Sequence, residues 1–374
     1  MLQSLQNVFD IEDKSLKIIS EKGGFRLKDT AVALGKFDGI HRGHKLLIDE
    51  ILSHTGEGVS SVVFTFDMRE NKIFDISSLR NIYTKEEKRE VLNSMGVDYL
   101  IEYPFDDEFA DMEPEDFVKD VLVDRLAPRY LVVGEDFHFG RNRLGDVDML
   151  NAMGSEYGFK VISISKAVDH GDVISATRIR EEIKLGNVDT AADYLGHPYF
   201  IRGEVVHGRE LGRTIGIPTA NLLPEAGKLY PETGVYAVKV ELQDHSSYTG
   251  ITNIGSNPTV NSGGNVTIET NIFEFDRMIY GEEIHVYFLE RVRGEVEGYH
   301  DGGTYAFYFL GFRINDPLGE VEAFGSYLSD GSLHGDMVRT INLCEEVCFN
   351  MDDNDTILFP IYIRAYGSEI FRFS

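Results

Sequence analysis

Gly35-Lys36-Phe37-Asp38-Gly39-Ile40-His41-Arg42-Gly43-His44 stands between an apolar run of β type, residues 31–34, and an amphipathic helical pattern, residues 44–52. Gly35, Gly39 and Gly43 allow tight turns and let backbone N–H groups approach an anion closely. His41 and His44 are three apart where the helix starts. Both imidazoles can donate to phosphate oxygens and stabilise charge that builds during attack at phosphorus. The helix N-terminus adds a fixed positive end. In isolation the run is a glycine-rich connection with two surface histidines. Its position after a strand and before a helix is what makes it a ligand loop.

Outward from this run the pattern sets the fold class. Apolar runs at 31–34, 62–66, 99–103, 130–133 and 161–164 alternate with helical patterns at 44–52, 85–95, 115–126, 147–157 and 177–185. This alternation predicts an α/β domain with a parallel sheet covered on both faces. Ligands of such sheets bind outside the carboxyl ends of the strands, so the loops after the strands are the ones to inspect. Gly134-Glu135-Asp136-Phe137-His138-Phe139-Gly140 follows the fourth run. There Asp136 offers a carboxylate to a base or sugar, and Arg141 and Arg143 offer phosphate contacts. Ile174-Ser175-Ala176-Thr177-Arg178-Ile179-Arg180 follows the fifth run and opens a helix. Ser175 and Thr177 can cap it or donate to phosphate, and Arg178 or Arg180 can pair with phosphate in bidentate fashion. Alone, that last piece is a plain N-cap with solvated arginines.

A short helical stretch, 188–195, leads to Gly196-His197-Pro198, which reads as a boundary. Strand-like runs then recur with turns between them, at 200–207, 234–242, 248–254, 266–275 and 283–292, predicting a compact antiparallel sheet closed as a barrel. Within it, Gly203-Glu204-Val205-Val206-His207-Gly208 is followed by Gly212-Arg213 and by Gly216-Ile217-Pro218-Thr219-Ala220-Asn221. The glycines make a loop able to fold over phosphates. The Thr219 hydroxyl and the Asn221 carbonyl oxygen are hard donors suited to Mg²⁺ and its bridged phosphates. Glu269 is placed to act as a general base for a substrate hydroxyl. Without further support this segment is a barrel with glycine-rich turns, a Pro-Thr turn and an ordinary strand carboxylate. From residue 298 onward the texture is rich in Gly, Asp, Phe and Tyr with weak periodicity; 307–312 and 357–363 are candidate strands.

The bulk numbers narrow the classes. The chain has 374 residues, enough for two domains, and 42% of them are hydrophobic, so sizeable cores can form. A formal charge of −27 argues against a broad nucleic-acid or anionic-membrane surface. It is compatible with a small anionic ligand held by a few arginines and a helix N-terminus. No apolar run approaches the roughly 18 residues of a membrane span, and the N-terminus has no signal-peptide pattern, so the cytoplasm is the expected location. Cys344 and Cys348 are two thiols in a reducing compartment, too few for a zinc site or a disulfide framework.

Taken together, the loops resemble the nucleotidyltransferase superfamily with an HxGH motif. The whole stretch 31–295 resembles the bacterial bifunctional riboflavin kinase/FAD synthetase family. The spacers Tyr83-Thr84-Lys85-Glu86-Glu87-Lys88, Gly96-Val97-Asp98 and Leu195-Gly196-His197-Pro198-Tyr199 belong to the match, as do Asn253-Ile254-Gly255, Pro258-Thr259 and Tyr280-Gly281. The resemblance implies a Rossmann-like FMN adenylyltransferase domain at 1–187, a six-stranded flavokinase barrel at 188–297 and an unassigned extension at 298–374. It implies two ATP-dependent reactions with Mg²⁺: riboflavin to FMN, then FMN to FAD and pyrophosphate. His41 and His44 would stabilise the adenylyl-transfer transition state. Gly35, Phe37, Asp38, Gly43, Asp136, Ser175, Thr177, Arg178 and Arg180 would contact the nucleotide. Gly208, Arg213, Thr219 and Asn221 would hold the second ATP, the last two with Mg²⁺, and Glu269 would activate the ribityl hydroxyl.

The chain departs from the family pattern at four places. Phe66-Asp67-Met68-Arg69-Glu70 replaces a Pro-His-Pro-like segment, Ala176 replaces a common serine, and Asn271 stands where a histidine is common. After Arg293-Gly294-Glu295 the helix that closes the kinase domain is missing from the pattern. The end is then either a lineage-specific extension or the product of an altered reading frame. The alternatives are an adenylyltransferase with an impaired kinase barrel, or a flavin- or nucleotide-binding protein with degenerate sites. The oligomeric state is open.

Overall fold

The run Thr30–Leu34 is buried at all five positions, as a strand covered on both faces must be. The computed structural model describes residues 15–67, 80–169, 171–207, 219–225, 227–257 and 265–294, and beyond these the backbone of short strands between 296 and 365. By internal contacts the chain divides into two units. One comprises residues 1–203 with 224–231 and 285–289; the other comprises 204–223, 232–284 and 290–374.

The first unit is a parallel sheet wrapped by helices. In chain order it runs β1 (Lys17–Ile19), β2 (Thr30–Leu34), α1 (Arg42–Ser53), β3 (Ser60–Asp67), α2 (Lys85–Ser94), β4 (Tyr99–Pro104), α3 (Asp107–Ala110), α4 (Pro114–Asp116) continuing into a π-helical segment Phe117–Leu126, β5 (Pro128–Gly134), α5 (Val147–Tyr157) and β6 (Lys160–Ile164). A two-stranded ribbon, β7 (Val168–Asp169) with β8 (Asp172–Val173), precedes α6 (Ala176–Leu185) and α7 (Val188–Leu195). The sheet order is β1-β4-β3-β2-β5-β6, every pair parallel. The order reverses beside β2, so the loop after β2 opens at the topological switch point where α/β sheets bind ligands. Val32, Leu34, Phe64, Leu131 and Val133 fill one face against Phe117 and Leu122. The five expected strands are all present. The sheet has a sixth, β1, an edge strand of three residues that shows no alternation to read.

Helix α2 starts with a capping box. Thr84 accepts from the Glu87 N–H, and Glu87 accepts from the Thr84 N–H at 2.8 Å. The same Glu87 carboxylate accepts from the Arg202 N–H at 3.0 Å and pairs with Lys228 at 2.5 Å, both side chains being only 1% exposed. Lys228 gives its other two donors to the carbonyls of Ile82 (2.8 Å) and Phe200 (3.0 Å). A buried ammonium has three donors, and here all three are satisfied.

The barrel consists of β9 (Phe200–Val206), β10 (Ala220–Leu222), β11 (Gly234–Glu241), β12 (Ser247–Asn257), β13 (Asn265–Ile272) and β14 (Glu283–Gly294), closed in the order β10-β13-β12-β11-β14-β9. Five of these match the expected runs. The sixth, β10, is a three-residue strand inside the Thr219–Asn221 segment. Side chains alternate as a barrel wall requires. Tyr236, Val238, Val240, Ile268 and Ile272 are buried, and Thr252 and Thr270 bond each other at 2.8 Å among them. The extension carries β15 (Val296–His300), β16 (Gly303–Tyr308), β17 (Phe312–Ile314), β18 (Glu320–Ala323), β19 (Arg339–Asn342) and β20 (Tyr362–Ala365) in two three-stranded sheets. The candidate strands 307–312 and 357–363 therefore fall partly on β16, β17 and β20.

Replacing Lys228 by Met leaves the Glu87 carboxylate buried and unpaired. The expected loss is about 3–5 kcal/mol of stability in urea unfolding. The double change Glu87→Gln, Lys228→Met is expected to recover part of that loss.

Candidate functional site

The loop after β2 folds back on itself before α1 begins. Gly35 donates its N–H to Phe64 O at 3.1 Å, and Thr65 donates its hydroxyl to Lys36 O at 2.8 Å, tying the loop to β3. Gly39 sits at φ 79°, and a Cβ there would lie 2.7 Å from the Ile82 side chain. The position therefore needs glycine on both conformational and steric grounds. Phe37 has a left-handed backbone (φ 47°) and a fully buried ring. Its ring lies 4.9 Å from the His44 ring, so it supports that histidine from the core side.

His41 is the N-cap of α1, and its Nδ1 accepts from the His44 N–H at 3.3 Å. That bond fixes the tautomer: the proton of the neutral ring is on Nε2, leaving Nε2–H as a donor. The His41 and His44 rings stack with centroids 3.9 Å apart. A Cβ on Gly43 would meet the His41 ring at 3.1 Å, so the glycine between the histidines is what lets the two rings lie together. Burial lowers the His41 pKa to about 4, with Asp38 opposing it. Burial, then His41, then Lys88 push His44 well below the ordinary histidine range. Both rings are neutral donors near pH 7. The His44 Nδ1 is buried and has no hydrogen-bond partner among the described residues.

Asp38 accepts from the Ile82 N–H at 3.0 Å and is ion-paired with Arg180 of α6. This pair brings the two motifs at 35–44 and 174–180 together. Ser175 is the N-cap of α6, its hydroxyl accepting from the Arg178 N–H at 3.3 Å. Thr177 is exposed on the first turn. Arg178 pairs with Asp172 at 2.7 Å and lies over the Tyr194 ring. Asp136 is exposed and paired with Lys166 at 2.8 Å, which holds its carboxyl below the usual range. Arg141 pairs with Glu113. Helices α1 and α6 have no acidic residue in their first turns, whereas α2, α3, α5 and α7 all do. Their N-termini thus keep an uncompensated positive end for an anion.

The barrel places the other set. Asn221 on β10 is register partner of Glu269 on β13, and Glu269 is register partner of Asn253 on β12. Directly opposed residues share a face, so the three form a row across three strands on the outer face. Asn221 Nδ2 lies 3.5 Å from Thr219 Oγ1. Asn253 is 9% exposed, and its Oδ1 has no hydrogen-bond partner among the described residues. Gly208, Arg213, Pro258 and Thr259 lie outside the described residues.

Family models match both halves: FAD synthetase over residues 26–178 and riboflavin kinase over residues 195–299. The bifunctional riboflavin kinase/FMN adenylyltransferase of Escherichia coli K12 is 36% identical over 266 residues, which span 71% of this chain and 84% of the relative. The chain belongs to this bifunctional family. The Haemophilus influenzae member is 34% identical, covering 72% of this chain and 88% of its own. A solved structure, the macrolide-efflux protein from Streptococcus pneumoniae, superposes with a TM-score of 0.67 at 31% identity over 77% of this chain and 94% of that one. No helix among the described residues is long and apolar enough to cross a membrane.

As a member of the family, the chain phosphorylates riboflavin to FMN with ATP and adenylylates FMN to FAD, releasing pyrophosphate. Sequence reasoning passed over three residues that the fold brings into play. Glu87 was legible through its capping box. Lys88 was legible only as part of a family spacer, and Lys228 as a lone lysine gave no signal at all.

The neutral histidines carry a pH signature. Between pH 6.5 and about 4 the unfolded chain takes up protons that folded His41 does not. Stability is therefore full above pH 6.5 and falls as the pH is lowered through that window, with His41 contributing on the order of 3 kcal/mol. Thermal unfolding across pH 4–7, with an NMR titration of the two rings, checks this. Ring pKa values near 6.5 would contradict it.

Proposed function

We propose that the two reactions are divided between the two sets of residues, with His41 and His44 serving adenylyl transfer and Glu269 serving phosphorylation. The observation that carries the first half is the stacked pair of neutral imidazoles on the N-terminus of α1, beside Arg180 and the capped start of α6. In the reaction, an FMN phosphate oxygen bonds to the α-phosphorus of ATP, the bond between the α-phosphorus and the α,β-bridging oxygen breaks, and pyrophosphate leaves with that oxygen and its electron pair. The FMN phosphate is already an anion, so no base is required. Hydrogen bonds from the histidine N–H groups and the helix N-termini stabilise the charge on the phosphoryl oxygens. Gly35 and Gly43 keep the backbone close to the phosphates, and Phe37 and Asp38 hold the loop. Asp136 serves the base or sugar, and Ser175, Thr177, Arg178 and Arg180 serve the phosphates.

For the kinase half, support comes from the row Asn221–Glu269–Asn253. Glu269 takes the proton of the ribityl 5′-hydroxyl, whose oxygen attacks the γ-phosphorus while ADP leaves. Thr219 and Asn221 present converging polar groups suited to Mg²⁺, with Gly208 and Arg213 assigned to the same nucleotide. Among the described residues no three His, Cys, Asp or Glu side chains are grouped for a metal, so the ion would complete its shell with phosphate and water. Bound there, Mg²⁺ would neutralise phosphate charge. A cytoplasmic location fits substrates that are riboflavin and ATP.

The test is a pair of variants assayed with riboflavin, FMN and ATP. Glu269→Ala abolishes FMN formation and spares adenylylation of supplied FMN; His44→Ala does the reverse. If either folded variant loses both activities, the division is wrong. Thr219→Ala is expected to raise the Mg²⁺ concentration giving half-maximal riboflavin phosphorylation, with that for adenylylation unchanged.

A further inference from the structure

Most cationic side chains around the run 35–44 are committed to carboxylates. Arg180 pairs with Asp38, Arg42 with Asp169 at 2.9 Å, Arg178 with Asp172 at 2.7 Å, Lys85 with Asp67 at 2.6 Å and Arg89 with Glu102 at 2.6 Å. The two histidines are neutral. Lys88 differs from all of these. Its Nζ donates to the Lys36 carbonyl at 3.3 Å, inside the ligand loop, and that carbonyl is already bonded by Thr65. The side chain is half-buried on the first turns of α2, which the Glu87 network anchors. Its charge reaches the buried His44. The groups facing it are Asp38 from the loop, Glu102 from β4, Asp67 from β3 and Lys85 from its own helix. Glu102 and Asp67 are already taken up by Arg89 and Lys85, and Asp38 by Arg180.

A desolvated ammonium bonded to a neutral carbonyl, beside two neutral imidazoles, is poised to exchange that carbonyl for a phosphate oxygen. We propose that Lys88 is a polyphosphate-binding residue of the adenylylation site, contacting the part of ATP that departs as pyrophosphate. The bridging electron pair leaves with pyrophosphate, and the ammonium stabilises that charge without giving up a proton. The assignment rests on the reading of run 35–44 as the adenylylation loop.

The test uses the full chain, with inorganic pyrophosphate as the calorimetric probe and steady-state adenylylation of FMN alongside. Lys88→Met is expected to weaken pyrophosphate binding and raise the KM for ATP in adenylylation by about tenfold to a hundredfold. Lys88→Arg is expected to recover most of both, and riboflavin phosphorylation stays at wild-type level in each. Should the Met variant not fold, Lys88→Gln is read by the same criteria. Wild-type pyrophosphate affinity in a folded neutral variant overturns the proposal. So does an arginine variant as defective as the neutral one, which would reduce Lys88 to a prop for the Lys36 carbonyl. His44→Ala separates the two levels: if it leaves adenylylation intact, the assignment of the loop fails, whatever Lys88 shows.

Discussion

The buried pair Glu87–Lys228 is the constraint from which the first site is built. Lys228 spends its three donors on Glu87, Ile82 O and Phe200 O, and Glu87 spends its acceptors on Lys228, the Thr84 N–H and the Arg202 N–H. Ile82 is the pivot. Its carbonyl is held by Lys228 while its N–H is given to Asp38, and its side chain packs where a Cβ on Gly39 would fall. Asp38 in turn holds Arg180. An uninterrupted set of hydrogen bonds thus runs from a buried ion pair in the core to the ligand loop and on to α6. A buried pair of this kind adds little net stability over apolar side chains. What it contributes is position, because every member has its partners defined.

The electrostatics follow the same economy. A chain of formal charge −27 has to bind polyphosphates. Around the run 35–44 the nearby carboxylates are paired with arginines and lysines rather than outnumbered by excess cations. Asp38, Asp67, Glu102 and Asp172 are each neutralised by an arginine or a lysine. The helix N-termini of α1 and α6 are left free of acidic side chains, and the histidines are kept neutral by burial. A pair of imidazolium rings stacked at 3.9 Å would repel each other and resist burial. Neutral rings can sit together and still donate one N–H each.

How much of this was legible in the sequence depended on how local each feature was. Strand and helix patterns from residues 31 to 195 appear where the periodicity put them, because each depends on burial within one segment. His41, Gly43 and His44 lie within a single turn, so their grouping at the start of a helix could be read directly. The edge strand β1 was not legible: three residues, two exposed and one half-buried, carry no alternation. Strand β10 was hidden because a three-residue strand inside a glycine-rich segment reads as a loop. The register that aligns Asn221, Glu269 and Asn253 depends on three strands separated by dozens of residues, and no local pattern encodes it. The same holds for Arg180 reaching Asp38, where the sequence left Arg178 and Arg180 as equal candidates and only the packing of α6 separates them.

The two reactions ask for different groups, and the proposed division between the two sets of residues follows that difference. Adenylyl transfer begins from a phosphate anion, so a base has nothing to remove and donors are what is needed. Under the proposed division the first set supplies such donors, and the carboxylate of its loop, Asp38, accepts from the Ile82 N–H and pairs with Arg180. Phosphorylation begins from an alcohol, which must lose its proton as the new bond forms. In the barrel, the carboxylate Glu269 stands in register with two carboxamides, Asn221 and Asn253. An arginine in either place would have held that carboxylate as a salt bridge. Asn221 and Asn253 instead carry no charge of their own, so neither brings a counter-charge to that row.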